Sequence, residues 1–161
     1  MLPPSTSSER SFLDVPSDFR ELLECLNARE ADYLVVGAYA LAFHGAPRAT
    51  GDIDLLVKPD PQNAQRVVAA LNDFSFESLG FAPEDFQRPD KVVQLGVSPV
   101  RADLMTSISG VSWEQAWDTR EAGTISGVPV HFIGRRAYIA NKRAAGRTKD
   151  LADVEALGEG D

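Results

Sequence analysis

Two aspartates, Asp52 and Asp54, stand two positions apart at the start of an apolar run that predicts a strand over residues 53–57. Side chains alternate along a strand, so both carboxylates face one side, with their Cα atoms ~6.6 Å apart. Carboxylates this close repel each other unless a cation lies between them. Hard divalent cations such as Mg²⁺ bind such oxygen ligands together with substrate phosphates. The pair therefore indicates metal-assisted chemistry on a phosphorylated substrate.

A third carboxylate, Asp103, lies in another predicted strand, residues 100–105. In that strand Arg101, Asp103 and Met105 face one side, and the smaller or aliphatic residues between them face the other. Aspartate is depleted in strand interiors, so Asp103 calls for an explanation. If this strand lies beside residues 52–57, the three carboxylates converge. They would then hold two cations about 3.5–4 Å apart, as phosphoryl-transfer chemistry requires.

Each of these acids has a simpler explanation when taken alone. An Asp-x-Asp pair at a strand start often accepts turn or cap hydrogen bonds, and Asp103 alone would be a solvated residue of an edge strand. A phosphatase of the haloacid-dehalogenase type also uses Asp-x-Asp, but its aspartates follow an apolar strand. Here a Gly/Pro-containing loop precedes Asp52 and the apolar residues follow Asp54. The position of the pair therefore disfavours that phosphatase class, and the metal hypothesis rests on all three acids together.

The elements that must position these acids follow from periodicity and breaker residues. The order predicts an α+β fold, a small mixed β-sheet flanked by helices. Residues 1–10 are expected to be a flexible tail, and residues 11–161 a single domain that ends in two helices. The expected elements are a helix with Phe19, Leu22, Leu23 and Leu26 on one face, a strand at 33–36, a short helix at 38–44, the strand 53–57, a helix opened by Asp60 and Pro61, a hairpin of 92–97 and 100–105 turned at Ser98 and Pro99, a weaker hairpin turned near Ser126 and Gly127, and helices near 135–145 and 149–157.

Basic residues are concentrated near the C-terminal end, where residues 135–149 contain six bases and no acid. One interpretation is a clamp for a triphosphate, with Arg48, just before the acid pair, as a further phosphate candidate. The other is a solvated helix face, because charge runs on helices often have no other role. Asp150 follows directly. Its structural interpretation is that of an acid in the first turn of a helix that Thr148 caps.

Composition limits the classes of function. The chain has 161 residues, enough for one domain with a full core, and its 43% hydrophobic content is typical of globular proteins. A net charge of −8 argues against broad binding to nucleic acid, and no apolar run is long enough to span a membrane. The lone Cys25 excludes an internal disulfide. The expectation is a cytoplasmic protein.

The chain resembles the nucleotidyltransferase superfamily of the DNA polymerase β type over roughly residues 30–157. That family has a Gly-Ser or Gly-Gly turn after its first strand, then Asp-x-Asp on the next strand and a third acid on a later one. The matching positions here are Gly37 with Ala38, Asp52 with Asp54, and Asp103. The segments 44–55 and 141–153 resemble small bacterial members, including minimal nucleotidyltransferases and AbiEii-like toxin enzymes. Ala38 departs from the pattern, since many active members have Ser or Gly there.

The resemblance implies a Mg²⁺-dependent enzyme that moves a nucleoside monophosphate from a nucleoside triphosphate to a hydroxyl acceptor. Asp52, Asp54 and Asp103 would be the catalytic and metal-binding residues for two ions. The nucleotide-binding residues would be Gly37, Ala38, Arg48, Lys142 and Asp150. The acceptor would be a protein side chain, a tRNA end or a small molecule. The alternative is a catalytically weak nucleotide-binding or partner-binding module of the same fold, such as a toxin–antitoxin component with a protein partner.

Overall fold

The computed structural model describes residues 16–46, 51–74, 80–97 and 100–158. The expected tail at residues 1–10 and the hairpin turn at residues 98 and 99 lie outside the described residues. The helices are α1 (Ser17–Ala28), α2 (Gly37–Phe43), α3 (Pro61–Phe74), α4 (Trp113–Asp118), α5 (Arg135–Ala145) and α6 (Thr148–Ala156), with a 3₁₀ turn at Pro83–Asp85. The strands are β1 (Tyr33–Val36), β2 (Asp52–Val57), β3 (Val92–Val97), β4 (Val100–Met105), β5 (Glu121–Ile125) and β6 (Val128–Phe132).

The strands form one mixed sheet in the order β3-β4-β2-β1-β6-β5. The local pairs are antiparallel, namely β3 with β4, β5 with β6, and β1 with β2. The two pairs that join distant segments are parallel, β2 with β4 and β1 with β6. Parallel strands need a long crossover. The crossover between β2 and β4 includes α3 and strand β3. The predicted α+β fold with a small mixed sheet is therefore confirmed.

The core lies between the sheet and its helices. All four residues of β1 are buried, as expected for a central strand covered on both faces. Helices α1 and α3 pack against each other. The predicted apolar face of α1 is buried throughout, with Phe19, Leu22, Leu23 and Leu26 each at most 2% exposed. At ~25 cal/mol per Å², each of these side chains stabilises the fold by about 1.5–3 kcal/mol.

Hydrogen bonds at the helix starts explain where two of the helices begin. Asp60 caps α3 as predicted, because its Oδ1 accepts the backbone N–H of Asn63 at 2.7 Å. Ser112 caps the short helix α4, where its Oγ accepts the N–H of Gln115 at 3.1 Å. Both satisfy N–H groups that have no partner within the helix. Within the described residues, no helix has the length and apolar character needed to cross a membrane.

The topology brings the end of β1 to the start of β2. These strands are antiparallel, and Val36 pairs with Asp54 across the ladder. Gly37, the first residue of α2, therefore lies against the Asp-x-Asp segment. The sheet also places β4 on the other side of β2. Three segments distant in sequence thus meet on three adjacent inner strands of the sheet.

Candidate active site

The two acidic strands lie side by side in parallel register. Asp54 pairs with Asp103, and Asp52 pairs with Arg101, along the β2–β4 ladder. Neighbouring strands are ~4.8 Å apart, and paired residues project to the same face. The burial pattern of β2 agrees, since Asp52 and Asp54 are half-buried while Ile53 between them is buried. The expected convergence of the three carboxylates is what the structure shows.

These carboxylates line a cavity of about 610 Å³, within the size range of small-molecule sites. Of the eight residues proposed for the site from sequence, seven line this one cavity, and the eighth, Arg48, lies outside the described residues. The seven are Gly37, Ala38, Asp52, Asp54, Asp103, Lys142 and Asp150. They come from α2, β2, β4, α5 and α6. The fold therefore brings them together, while their chemical roles stay predictions.

Gly37 is the point of closest approach in the cavity. Its backbone has φ +69°, in the left-handed region that side chains disfavour. A Cβ built at this position would overlap the Oδ2 atom of Asp54. Only glycine therefore lets the β1–α2 turn run directly beside the Asp54 carboxylate. The next residue, Ala38, also lines the cavity but offers no hydroxyl to a ligand.

Arg101 lies among the carboxylates and was not proposed from sequence. Its guanidinium donates from Nε to Asp103 Oδ1 at 3.0 Å and from Nη2 to Asp103 Oδ2 at 3.2 Å. The same Nη2 lies 3.2 Å from Asp52 Oδ2. Among the described residues, no group of three acidic, histidine or cysteine side chains has the arrangement needed to hold a metal ion. A metal ion bound by Asp52 and Asp103 would have to replace this guanidinium.

Asp54 differs from its two neighbours in its electrostatic environment. Burial, together with the negative charges of Asp103 and Asp52, raises its pKa to about 6, against the opposing effect of Lys142 and Lys149. Burial disfavours the charged form of an acid, and like charges do the same. Half-buried carboxylate oxygens are suitable ligands for a hard divalent cation. The donor chemistry at Asp54 is therefore compatible with Mg²⁺.

Two bases of the basic segment, Lys142 and Arg147, form ion pairs with a buried acid. Asp150 is fully buried at the start of α6. Its carboxylate accepts from Lys142 Nζ at 3.4 Å and from Arg147 Nε at 2.7 Å. Lys142 Nζ also lies 3.8 Å from Asp153 Oδ2. The hydrogen bond from Arg147 is the main cause of the lowered pKa of Asp150, opposed by burial.

This network corrects one detail of the sequence analysis. Thr148 was a candidate cap for the last helix, but it is the first helical residue, and the N-cap position is Arg147. The Asp150 side chain accepts the backbone N–H of Arg147 at 3.2 Å instead. An acid in the first turn can make this hydrogen bond, and its negative charge also interacts favourably with the positive end of the helix dipole. Asp150 therefore has the structural role that was its alternative, while its side chain holds Lys142 at the cavity wall.

Sequence reasoning missed Arg101 as a partner of the carboxylates, although a signal for it was present. Strand alternation already places Arg101 and Asp103 on one face of β4. What the sequence did not contain is the register of β2 against β4, which brings Asp52 beside Arg101. The same is true of Asp90 and Ser107. These residues also line the cavity, but no motif marks them.

Comparison with solved structures identifies the fold. No family model matches the sequence, and no curated protein matches it. A Thermotoga maritima protein assigned as a nucleotidyltransferase aligns with TM-score 0.55 and 14% identity, over 99% of this chain and 94% of the other. The lincosamide antibiotic adenylyltransferase LnuA, solved with lincomycin bound, aligns with TM-score 0.55 and 13% identity, over 91% and 99%.

An antigenic nucleotidyltransferase-like protein from Paracoccidioides brasiliensis is also similar, with TM-score 0.51 and 18% identity over 90% of this chain and 76% of that one. At these low identities the likeness is one of fold. The protein described here therefore has the nucleotidyltransferase fold, as its resemblance to that superfamily implied. What it does with the fold has to be argued from its own site.

Proposed function

We propose that the protein is a Mg²⁺-dependent nucleotidyltransferase that transfers a nucleoside monophosphate from a nucleoside triphosphate to a hydroxyl acceptor. The observation that carries the proposal is the meeting of Asp52, Asp54 and Asp103 on one face of two adjacent strands, in one cavity with Gly37. A role as a turn or cap acceptor, or as a solvated residue of an edge strand, explains one aspartate at a time. None explains why three carboxylates share one cavity at the cost of mutual repulsion.

The proposed reaction divides the cavity between two substrates. The triphosphate lies towards Gly37 and Ala38, which line the cavity beside the Asp54 carboxylate. The acceptor lies on the side of Asp103, on β4. Metal ions held by the carboxylates would supply charge neutralisation for the phosphate oxygens, which is the largest contribution in this type of chemistry.

Bond changes assign a role to Asp103. The acceptor oxygen forms a bond to the α-phosphorus, the bond from that phosphorus to the bridging oxygen breaks, and pyrophosphate leaves with the electron pair. The acceptor hydroxyl must lose its proton, and the Asp103 carboxylate would receive it. The Asp103 side chain is 13% exposed, so it is shielded yet reaches the cavity. Asp52 and Asp54 would orient the triphosphate through the metal ions.

Charge pairing also suggests how the cavity receives a triphosphate. Lys142 lies at the cavity wall, held by Asp150 and Asp153. A lysine in this position contributes a fixed positive charge without needing to leave its acids. Fixed charges stabilise developing negative charge without reorganisation during the reaction. Lys142 is therefore proposed as a positioning residue for phosphate, and Asp150 as the residue that positions Lys142.

The experiment is label transfer from each α-labelled nucleoside triphosphate, with Mg²⁺, into separate protein, tRNA and small-molecule fractions of a lysate. Asp103→Asn is the test variant. Asp118→Asn is the matched control, because Asp118 is an exposed residue of α4 outside the cavity. Transfer that is retained by the control and reduced at least about 100-fold by Asp103→Asn supports the proposal, in line with the usual effect of removing a general base.

The absence of transfer from every triphosphate, by a protein shown to be folded in the presence of metal, would overturn the proposal. A second candidate then becomes the better description, a nucleotide-binding or partner-binding module without turnover. Ala38 favours that candidate, because a phosphate at the β1–α2 turn receives no side-chain hydroxyl there. Binding of a triphosphate that survives Asp103→Asn, together with no transfer, would support the module.

A further inference from the structure

The face of the sheet that bears Asp103 continues beyond the catalytic acids. Along β4 the next residue on this face is Met105, and it pairs with Val92 of β3. One step further, Ser107 and Asp90 are joined side chain to side chain. Asp103, Met105, Ser107 and Asp90 all line the same cavity. A row of side chains therefore leads from the carboxylates to the far end of the cavity, on the side away from Gly37.

The middle of this row is apolar and open to solvent. Val92 is 62% exposed, and among the described residues it is the more exposed of two large apolar residues that lie at the surface. Its neighbour Met105 is half-buried and faces the cavity. Single exposed apolar residues need no explanation, but this one is paired with a flexible methionine beside a reactive centre. The pair offers an apolar platform next to Asp103.

The far end of the row carries a carboxylate in a fixed position. The backbone N–H of Asp90 donates to Ser107 Oγ at 3.0 Å, and the Ser107 hydroxyl donates to Asp90 Oδ1 at 3.0 Å. Asp90 has φ +67°, an uncommon conformation for a residue other than glycine. Such conformations persist where surrounding contacts hold them, and they cluster at functional sites. Ser107 provides those contacts, and the exposed Asp90 lines the cavity.

We propose that this row, Asp103 with Met105, Val92, Ser107 and Asp90, is the acceptor subsite and that it selects a small amphipathic alcohol bearing a positively charged amine. The part of this inference that concerns the reacting hydroxyl rests on the proposed function. The hydroxyl lies at Asp103, the apolar body on Val92 and Met105, and the ammonium group at Asp90. Four residues of extended chain separate Asp103 from Ser107, so their Cα atoms are at most about 13 Å apart.

The carboxylate of Asp90 explains the preference for a cation at this end of the row. Once Asp103 has received the acceptor proton or bound a metal ion, Asp90 is the carboxylate of this row that no reaction chemistry uses. A carboxylate held by a neighbouring hydroxyl is preorganised, so a cationic ligand binds it without ordering it first. A neutral alcohol of the same shape gains only the apolar contact. An anion of the same shape is repelled by Asp90.

The subsite can be tested by binding alone, with no turnover. The probes are 2-phenylethylamine, 2-phenylethanol and phenylacetate, which share one apolar body and differ in charge. Each is titrated into the protein with Mg²⁺ and the non-transferable analogue α,β-methylene-ATP, and backbone amide shifts are followed by NMR. We expect the amine to bind more tightly than the alcohol, by about threefold to tenfold, and phenylacetate to bind most weakly. The shifts caused by the amine should centre on Asp90 and Ser107.

Asp90→Asn is the decisive variant. Asparagine tolerates a positive φ and can still accept the Ser107 hydroxyl, so the local fold is expected to survive. It should reduce the affinity for the amine to that for the alcohol, and leave the alcohol unaffected. Asp118→Asn, with the same change of net charge outside the cavity, should alter neither. Equal binding of amine and alcohol by the wild type, no effect of Asp90→Asn, or shifts confined to another surface would each overturn the proposal.

The two proposals fail in different ways. If the amine binds at Asp90 but no triphosphate yields transfer, the proposed function fails and the row remains an amine-binding site. If transfer occurs and the affinity for the amine is independent of Asp90, the nucleotidyltransferase stands and this acceptor assignment is wrong. Where both succeed, amino alcohols should be better acceptors than neutral alcohols, and Asp90→Asn should raise the KM for the amino alcohol more than it lowers kcat.

Discussion

The substitution Asp54→Asn should stabilise the metal-free protein near neutral pH, even though it removes a proposed metal ligand. Burial, together with the charges of Asp103 and Asp52, raises the pKa of Asp54 from 3.8 to about 6. A shift of one pH unit corresponds to ~1.36 kcal/mol, so the charged form costs the fold at most about 3 kcal/mol. Because Asp54 is partly exposed, solvent screening reduces this to about 1–3 kcal/mol. Asparagine has the same shape and never carries the charge.

The pH dependence has a defined sign. The folded-state pKa is above the unfolded-state pKa, so the contribution of Asp54 to stability is complete below about pH 4. It is lost as the pH rises through about 6. The stability difference between Asp54→Asn and wild type should therefore be smallest in acid and level off above about pH 7. Since the pI is about 4.7, the unfolding measurements begin near pH 5. Between this pH and neutral pH, the stability difference should still grow by about half of its total change, ~1 kcal/mol.

The assay is urea unfolding in the presence of a chelator at pH 5, 6 and 7.5, with both proteins measured side by side. All other titrating groups are common to both, so their contributions cancel in the difference. Adding millimolar Mg²⁺ at pH 7.5 should then stabilise the wild type and have little effect on Asp54→Asn, because a ligand that binds only the folded state raises its stability. If the difference in free energy of unfolding between the two proteins stays constant from pH 5 to 7.5, the raised pKa of Asp54 is refuted.

Three further substitutions test other parts of the cavity. Gly37→Ala should destabilise the fold by at least about 1–2 kcal/mol in urea unfolding, because alanine must adopt a left-handed φ and its Cβ overlaps Asp54; an unchanged midpoint would contradict this. Ala38→Ser should lower the KM for the triphosphate about tenfold, the value of one hydrogen bond to a charged group, and an unaltered KM would exclude a phosphate at this turn. Arg101→Gln should tighten Mg²⁺ binding by the nucleotide-free protein about threefold to tenfold in calorimetry, since the guanidinium occupies Asp103; weaker binding would show that Arg101 supports the metal site.

The elements of the fold were predictable where local patterns determine them. The strands Val92–Val97 and Val100–Met105 and the helix Arg135–Ala145 have the bounds that breaker residues and periodicity indicated. The acids Asp52 and Asp54 lie at the start of β2 as expected, because a loop precedes them and apolar residues follow. In each case the signal is contained in a few consecutive residues.

Pairings between distant segments could not be derived in the same way. That β4 lies beside β2 was an assumption in the sequence argument, and so was the register that pairs Asp54 with Asp103. The basic segment 135–149 shows the same limit. Its spacing indicates helical faces, but it does not show that Lys142 turns inward to a buried Asp150 on the next helix. Side-chain partners depend on packing, and a charge pattern alone leaves a clamp and a solvated face equally plausible.

The arrangement of charges explains how the metal-free protein tolerates three carboxylates on one face. Arg101 lies between Asp52 and Asp103 and offsets the charge of both. That pairing is possible because Arg101 and Asp103 share a face of β4 while the ladder brings Asp52 opposite Arg101. Asp54 lies against Gly37, and burial and the charges of Asp103 and Asp52 raise its pKa although Lys142 and Lys149 oppose the rise. Cation binding and proton binding are therefore alternative ways to relieve the same repulsion, and Asp54 is where the two compete.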